Sequence, residues 1–100
     1  MPALIPSKLF LKDVEPFRNN SVLRKKIAKT LAMLEQNPLH PGLRLERIVN
    51  DPSAWSARVD GRHRLSFDPD GYHLAGNPDW NAAVTLLRIL DHDDLCESPR

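Results

Sequence analysis

The chain has 100 residues, of which 41% are hydrophobic and 27% are charged, and its net charge is +1. This length predicts a single domain over residues 1–100, and the composition is ordinary for a soluble globular protein. No apolar run approaches the length of a membrane span and the N-terminus lacks the layout of a signal peptide, so we expect a cytoplasmic protein without a membrane partner. A single cysteine, Cys96, excludes an intrachain disulfide, and the small net charge does not by itself indicate nucleic-acid binding.

The N-terminal third predicts one strand and two helical segments. Residues 4–11 predict a strand near an edge of the sheet, and residues 13–17 predict a short helical turn with its proline placed early. Asn20 or Ser21 then supplies an N-cap for an amphipathic helix over residues 22–36, whose apolar side chains recur every three to four positions. An Asn-Pro pair ends this helix.

Basic side chains lie mainly off the apolar stripe of this helix. They are Arg24, Lys25, Lys26 and Lys29. Such residues most often form a solvated face, and the alternative is a face that contacts phosphates. Only their position relative to a site decides between the two interpretations.

A β-hairpin is the strongest local signal of the chain, because two alternating runs flank Asp60-Gly61. A two-residue loop would mix apolar and basic residues on both faces, whereas a three-residue loop over residues 60–62 makes one face apolar. The pairs predicted with this loop are Val59 with His63, Ala57 with Leu65, and Trp55 with Phe67. The other face then places Arg58 opposite Arg64, and two such cations repel each other unless an anion or a carboxylate lies between them. The alternative is that both arginines are solvated or paired with Asp or Glu.

The remaining segments flank the hairpin. Residues 43–49 predict a strand before it, and residues 68–83 predict a long surface loop anchored by Tyr72 or Trp80. Residues 84–90 are a nearly continuous apolar run, which is typical of a central strand covered on both faces.

After these segments, residues 95–100 form a short tail that we expect to fray.

The order of the predicted elements indicates the fold class. One strand, one or two helices and then several mostly antiparallel strands predict an α+β fold. Its helices pack on one face of a mostly antiparallel sheet of three to five strands.

Four side chains are candidates for chemistry: Glu46, Arg58, Arg64 and His92. Neighbouring antiparallel strands can bring them to one end of the sheet. RNA cleavage without a metal needs a base for the ribose 2′-OH proton, an acid for the leaving 5′-oxygen, and cations for the pentacoordinate phosphate. The alternative is that Glu46 only neutralises the arginine pair and that His92 is a surface turn histidine. Because one cysteine and four scattered histidines disfavour a zinc site, we expect neither a metal nor a cofactor.

Several motifs together resemble a known family. Trp55-Ser56-Ala57-Arg58-Val59 followed by Arg62-His63-Arg64-Leu65 resembles the hairpin core of the RelE/YoeB-type toxins of bacterial toxin–antitoxin pairs. Further matches are Leu34-x-x-Asn37-Pro38, Pro41-Gly42-Leu43 and Asp91-His92-Asp93-Asp94, and all run in the family's order over nearly the whole chain. The resemblance implies a microbial RNase-like fold, ribosome-dependent cleavage of mRNA, and inhibition by a cognate antitoxin.

The resemblance also implies a role for each candidate residue. Arg64 matches the arginine that stabilises the transition-state phosphate, Glu46 the general base, and His92 the C-terminal histidine assigned to acid/base work. The positions implied in RNA or phosphate binding are Arg58, Arg62, Lys25, Lys26 and Lys29. The three lysines lie on the helix that in such toxins faces ribosomal RNA.

The sequence departs from the family in two places, and these leave alternatives open. Family members commonly place a tyrosine shortly after the C-terminal histidine, where this chain has Leu95 or Cys96. The loop over residues 68–83 replaces what is often a short turn. One alternative is a ParE-like or non-catalytic protein of the same fold that binds an antitoxin or a topoisomerase. Another is a small α+β domain whose arginine pair is neutralised and which has no site.

Overall fold

The computed structural model describes residues 3–48, 51–74, 76 and 78–97, and of residues 51, 52, 92, 96 and 97 it describes only the backbone. The helices and strands of this part of the chain follow in sequence order. They are β1 (Leu4–Pro6), α1 (Lys8–Val14), α2 (Ser21–Gln36), β2 (Glu46–Ile48), β3 (Asp51–Arg58), β4 (His63–Pro69), β5 (Val84–Asp91) and α3 (His92–Glu97). Short 3-10 turns cover Glu15–Phe17 and Pro41–Leu43. Among the helices described, none has the length and apolar character needed to cross a membrane.

The strands form one five-stranded sheet in the order β1-β5-β4-β3-β2. β1 runs parallel to β5, and the other neighbours are antiparallel. The main core lies between one sheet face and the two N-terminal helices, with Phe10, Ile27 and Leu34 packed against strand residues such as Leu65 and Phe67. The predicted α+β class is therefore confirmed.

Helix α2 matches its prediction closely. It begins at Ser21 and ends at Gln36, and the Asn20 side chain accepts a hydrogen bond from the backbone N–H of Leu23 at 3.1 Å. The residues that it buries recur at helical spacing: Leu23, Ile27, Thr30 and Leu34.

The first strand is shorter than the predicted residues 4–11, because helix α1 already begins at Lys8. β1 ends at Pro6, and the Ser7 hydroxyl accepts a hydrogen bond from the backbone N–H of Phe10 at 3.1 Å, which caps α1. The same hydroxyl donates to the Leu87 carbonyl at 3.0 Å. Ser7 thus ends the strand, starts the helix and joins both to β5. A helical turn was predicted at residues 13–17. Its first two residues belong to α1, and its last three form a separate 3-10 turn.

An ion pair holds α1 against β5. The Asp13 carboxylate accepts hydrogen bonds from Arg88 Nε at 2.7 Å and Arg88 Nη2 at 3.0 Å, and from the backbone N–H of Ile89 at 3.2 Å. The hydrogen bond to Asp13 holds the pKa of the Arg88 guanidinium above its ordinary value.

The hairpin has the predicted register. Trp55 pairs with Phe67, Ala57 pairs with Leu65, and the Val59 N–H donates to the His63 carbonyl at 3.0 Å. The three-residue loop is therefore confirmed, and it leaves Arg58 and Arg64 as direct neighbours on the other face.

The segment before the hairpin differs from its prediction of a strand over residues 43–49. Leu43 belongs to a 3-10 turn, and Arg44 has a left-handed backbone with φ of 46°. The strand begins only at Glu46, because the left-handed residue turns the chain before pairing with β3 starts. Residue 49 lies outside the described part.

The C-terminal tail is also more ordered than predicted. Residues 92–97 form α3, and the Leu95 side chain is 1% exposed in a small second core with Ile48, Ala54 and Leu87. Since Ala54 and Ala57 differ by an odd number of strand positions, this core lies on the face opposite α2. The prediction of fraying is therefore wrong up to residue 97, and residues 98–100 lie outside the described part.

The long loop before β5 is a surface excursion with two anchors. The Tyr72 hydroxyl donates to the Ser53 carbonyl at 3.2 Å. The Trp80 ring packs against Trp55 and Phe67 with ring centroids 6.0 and 6.1 Å apart. Both predicted anchors are thus used.

Candidate active site

A small polar cleft opens at the end of the sheet where β3 turns into β4. Its volume is about 230 Å³, and four guanidiniums and two carboxylates line it. The lining residues are Arg44, Glu46, Arg58, Asp60, Gly61, Arg62 and Arg64. Four residues that the sequence proposes for the site therefore meet in one cleft, although they come from β2, β3, β4 and the hairpin loop.

Strand register explains why these side chains converge. Glu46 pairs with Ser56 across β2 and β3, and Arg58 pairs with Arg64 across β3 and β4. Cross-strand partners project from the same face, and so do residues two apart on one strand. Glu46, Arg58 and Arg64 consequently share a face, which is the one opposite α2.

Arg64 is held rigidly within this cleft. Its residue is only 8% exposed, its Nε donates to the Ser56 hydroxyl at 3.2 Å, and its Nη2 donates to the Arg44 carbonyl at 2.7 Å. A guanidinium fixed by such contacts changes its position little when an anion arrives. The contact with Arg44 also explains why the left-handed turn before β2 matters to the site.

The hairpin loop is fixed by the Asp60 carboxylate. Its Oδ1 accepts hydrogen bonds from the backbone N–H groups of Arg62 at 2.8 Å and His63 at 2.6 Å, and the His63 ring nitrogen Nδ1 lies 3.2 Å away. Burial raises the pKa of the Asp60 carboxyl, but the hydrogen bonds from His63 and Arg62 outweigh it, so the pKa lies below its ordinary value of 3.8. Arg58 joins the same loop, because its Nε donates to the Asp60 carbonyl at 3.2 Å.

Replacing Asp60 by asparagine should make the stability of the protein less dependent on acid pH. Because the folded-state pKa of Asp60 is lowered, its ionised form stabilises the fold above the ordinary value of 3.8, and this contribution is lost as the pH falls through the folded-state pKa. In urea unfolding, Asp60→Asn should therefore be less stable than the parent protein at about pH 7 and approach it at about pH 3. Glu35→Gln, at an exposed helix position, is the control. A deficit of equal size at both pH values would contradict the assignment.

Arg62 links the cleft to the start of α3. Its Nε donates to Asp91 Oδ2 at 3.0 Å, and Asp91 Oδ1 accepts from the Asp93 N–H at 3.2 Å. The hydrogen bond from Arg62, followed by that from Asp93, holds the pKa of the Asp91 carboxyl below its ordinary value. Residue 92 therefore begins its helix at the same end of the sheet as the cleft. The side chain of His92 lies outside the described part, so its role stays a prediction.

The three helix lysines lie outside the cleft. Lys26 and Lys29 line a neighbouring cavity that also borders Arg58. Lys25 lines a groove between α1 and α2. The helix thus divides its basic residues between two surfaces.

Two cleft residues were missed by sequence reasoning, namely Arg44 and Asp60. Arg44 falls within the segment predicted as strand, and the Pro-Gly turn just before it was the available signal. Asp60 was assigned only to the loop, although aspartate commonly accepts hydrogen bonds from the backbone two and three residues on.

Among the residues described, no group of three or more His, Cys, Asp or Glu side chains is placed to hold a metal ion.

Solved structures share this architecture. The YoeB/ParE toxin from Agrobacterium tumefaciens has a TM-score of 0.67 at 17% identity, over 90% of this chain and 98% of that one. The YoeB–YefM complex from Staphylococcus aureus gives 0.67 at 22% identity, over 92% and 98%. The E. coli DinJ–YafQ complex gives 0.69 at 15% identity, over 95% and 98%. This is the RelE/YoeB-type toxin fold.

The RelE/YoeB-type fold implied by the hairpin motifs is thereby confirmed at low sequence identity. No protein-family profile matches the sequence, and no significant match occurs among the curated proteins. In this RelE/YoeB-type fold the polar cleft of Glu46, Arg58 and Arg64 lies at the end of the sheet where β3 turns into β4.

Proposed function

We propose that this protein is the toxin of a type II toxin–antitoxin system and that it cleaves mRNA on the ribosome. The observation that carries the proposal is the meeting of Glu46, Arg58 and Arg64 in one cleft of a RelE/YoeB-type fold. A carboxylate and fixed guanidiniums at one end of a sheet suit attack on an RNA phosphodiester, because the reaction needs a proton acceptor and stabilisation of a developing negative charge.

In the proposed reaction, each cleft residue acts on a different part of the scissile unit. Glu46, which is exposed, takes the proton of the ribose 2′-OH as that oxygen attacks the adjacent phosphorus. Arg64 stabilises the pentacoordinate phosphate, and Arg58 and Arg62 bind its neighbouring oxygens. His92, at the start of α3, protonates the leaving 5′-oxygen. The products are a 2′,3′-cyclic phosphate and a 5′-hydroxyl, and neither a metal nor a cofactor takes part.

The proposed partners follow from the similar structures and from the proposed reaction. Two similar structures are complexes, YoeB with YefM and YafQ with DinJ. We propose that a cognate antitoxin binds this protein in the cytoplasm and that ribosome-bound mRNA is its substrate. Lys25, Lys26 and Lys29 are proposed to add electrostatic attraction to RNA, which is needed because the whole chain carries a net charge of only +1.

Replacing Glu46 by glutamine tests the proposed reaction. The change keeps size and polarity but removes the base, so cleavage should slow by about 10²–10⁴-fold. Primer extension on mRNA from induced cells should show ribosome-dependent cuts for the parent protein and lose them for Glu46→Gln. Glu35→Gln, at another exposed position, is the matched control and should keep the cuts.

The same experiment separates catalysis from action by binding. Growth arrest without any mRNA cuts in the parent protein would overturn the nuclease and favour the ParE-like alternative. Full cleavage by Glu46→Gln would instead contradict only the role given to Glu46.

A further inference from the structure

A second cavity adjoins the cleft on the other side of the hairpin loop. Its volume is about 540 Å³, and its walls include Lys26, Lys29, Met33, His40 and Arg58. Arg58 also lines the cleft, so one guanidinium borders both spaces. The two spaces are therefore adjacent at Arg58.

One face of α2 forms a wall of the second cavity. Lys26, Lys29, Thr30 and Met33 stand at the helical spacing that places side chains on one side of a helix. The Thr30 hydroxyl, which is 4% exposed, donates to the Lys26 carbonyl at 2.9 Å and lies 3.5 Å from the Arg58 carbonyl. This contact brings the lysine face of the helix against the end of β3.

The opposite wall is a histidine ring held in place. His40 Nδ1 accepts a hydrogen bond from the Gly42 N–H at 2.9 Å. A Cβ atom added at Gly42 would lie 3.0 Å from His40 Nδ1 and 3.2 Å from Met33 Cε, so the three residues are closely packed. The cavity therefore combines two lysine cations with a positioned ring and a thioether, and the ring and the thioether are surfaces on which a base can lie.

Size and charge distinguish the two spaces. The cleft of 230 Å³ is smaller than the range of about 300–1,000 Å³ typical of ligand pockets, whereas the cavity of 540 Å³ falls within it. Lys26, Lys29 and Arg58 bring three cations to the cavity against one carboxylate, Asp60, whose Oδ1 accepts hydrogen bonds from its own loop. The cleft is thus suited to a phosphate, and the cavity to a whole nucleotide.

We propose that the second cavity is a subsite for the nucleotide next to the scissile phosphate of a single-stranded RNA. Lys26 and Lys29 bind the phosphate of that nucleotide, and its base lies against His40 and Met33. This inference rests on the proposed function, because the RNA that enters the subsite is the strand held in the cleft. Lys26 and Lys29 then contact the mRNA itself.

RNA length is the variable that tests the subsite. Binding is measured by fluorescence anisotropy with 2′-O-methyl oligoribonucleotides, which the proposed 2′-OH attack cannot cut. A dinucleotide carries only the phosphate held in the cleft, whereas an octanucleotide also carries the next phosphate, which reaches Lys26 and Lys29. For the octanucleotide, Lys26→Gln with Lys29→Gln should reduce the slope of log affinity against log salt by about 0.7 per lysine. Dinucleotide affinity should not change.

Two further variants control for charge and for shape. Lys8→Gln removes the same charge from an exposed position of α1 that lines neither the cleft nor the cavity, and it should leave the octanucleotide slope unchanged. His40→Phe keeps a ring and should bind the octanucleotide like the parent protein, whereas His40→Ala should bind it more weakly. Equal losses for both RNA lengths, or a loss with Lys8→Gln as large as with the lysine pair, would overturn the subsite.

The outcomes for the subsite and for the cleft are separable. If Arg64→Gln weakens both oligonucleotides while the lysine pair weakens neither, the subsite is wrong and the cleft assignment stands. If the lysine pair weakens only the octanucleotide while Arg64→Gln changes nothing, the cavity binds RNA and the role of the cleft is wrong. Loss of ribosome binding with unchanged octanucleotide binding would assign the lysines to ribosomal RNA and overturn the subsite.

Discussion

Replacing Arg64 by alanine is expected to abolish growth arrest and to slow mRNA cleavage by about 10²–10³-fold, the usual effect of removing one fixed donor to a developing anion. The guanidinium is held in the cleft by the Ser56 hydroxyl and the Arg44 carbonyl, so it is already in position when negative charge develops on the phosphate. Cleavage is measured by primer extension with purified ribosomes and mRNA, and folding by far-UV circular dichroism and urea unfolding.

The Arg64 experiment needs controls because this side chain also has a structural role. Ser56→Ala removes the partner of Arg64 Nε but keeps the cation, so it should lose some stability and retain most cleavage. Arg47→Ala removes a neighbouring cation that lies over the Trp55 ring, 5.3 Å from its centroid, and it should retain cleavage. A folded Arg64→Ala protein with full toxicity would show that the transition-state role is wrong.

The hairpin was predictable from sequence because two independent signals agree on it. Alternation of apolar residues fixes which side chains share a face, and Asp-Gly marks the turn. Together they select the three-residue loop, and the observed pairing of Ala57 with Leu65 follows. The same argument places Arg58 opposite Arg64, which is the part of the site that sequence reasoning could predict.

The N-terminal helix was missed because its sequence lacks a clear apolar stripe. Phe10 is its one buried residue, whereas Leu9 and Leu11 are 44% and 54% exposed. Tertiary contacts therefore stabilise this helix, through the hydrogen bond from the Ser7 hydroxyl to the Leu87 carbonyl and those that Arg88 donates to Asp13. A local sequence pattern does not predict a contact between residues more than 70 positions apart.

The full site was only partly predictable for a similar reason. Register brings Glu46 beside the arginines, and this could be inferred once β2 was assigned as a neighbour of β3. The contribution of Arg44 depends on a left-handed backbone in the preceding turn, which residue type alone does not predict. The separation of Lys25 from Lys26 and Lys29 depends on how α2 packs against the hairpin.

The apolar face of the hairpin packs into the main core, and this packing holds in place the cleft on its other face. Phe67 is fully buried, pairs with Trp55 across the hairpin and with Leu86 on β5, and contacts the Trp80 ring of the long loop. One side chain thus joins β3, β4, β5 and the loop. Its loss should affect the whole sheet rather than one strand.

Phe67→Ala is therefore expected to lower the free energy of unfolding by about 3–5 kcal/mol, the usual effect of truncating a buried phenylalanine. Domains of this size have about 5–15 kcal/mol of stability in total, so the variant should be close to unfolding at growth temperature. Urea unfolding at 25 °C measures the loss, and Phe67→Leu should recover part of it because it fills more of the cavity. Leu74→Ala, at a fully exposed loop position, is the control and should change stability by less than about 0.5 kcal/mol. A loss below about 1 kcal/mol for Phe67→Ala would contradict the central position assigned to this side chain.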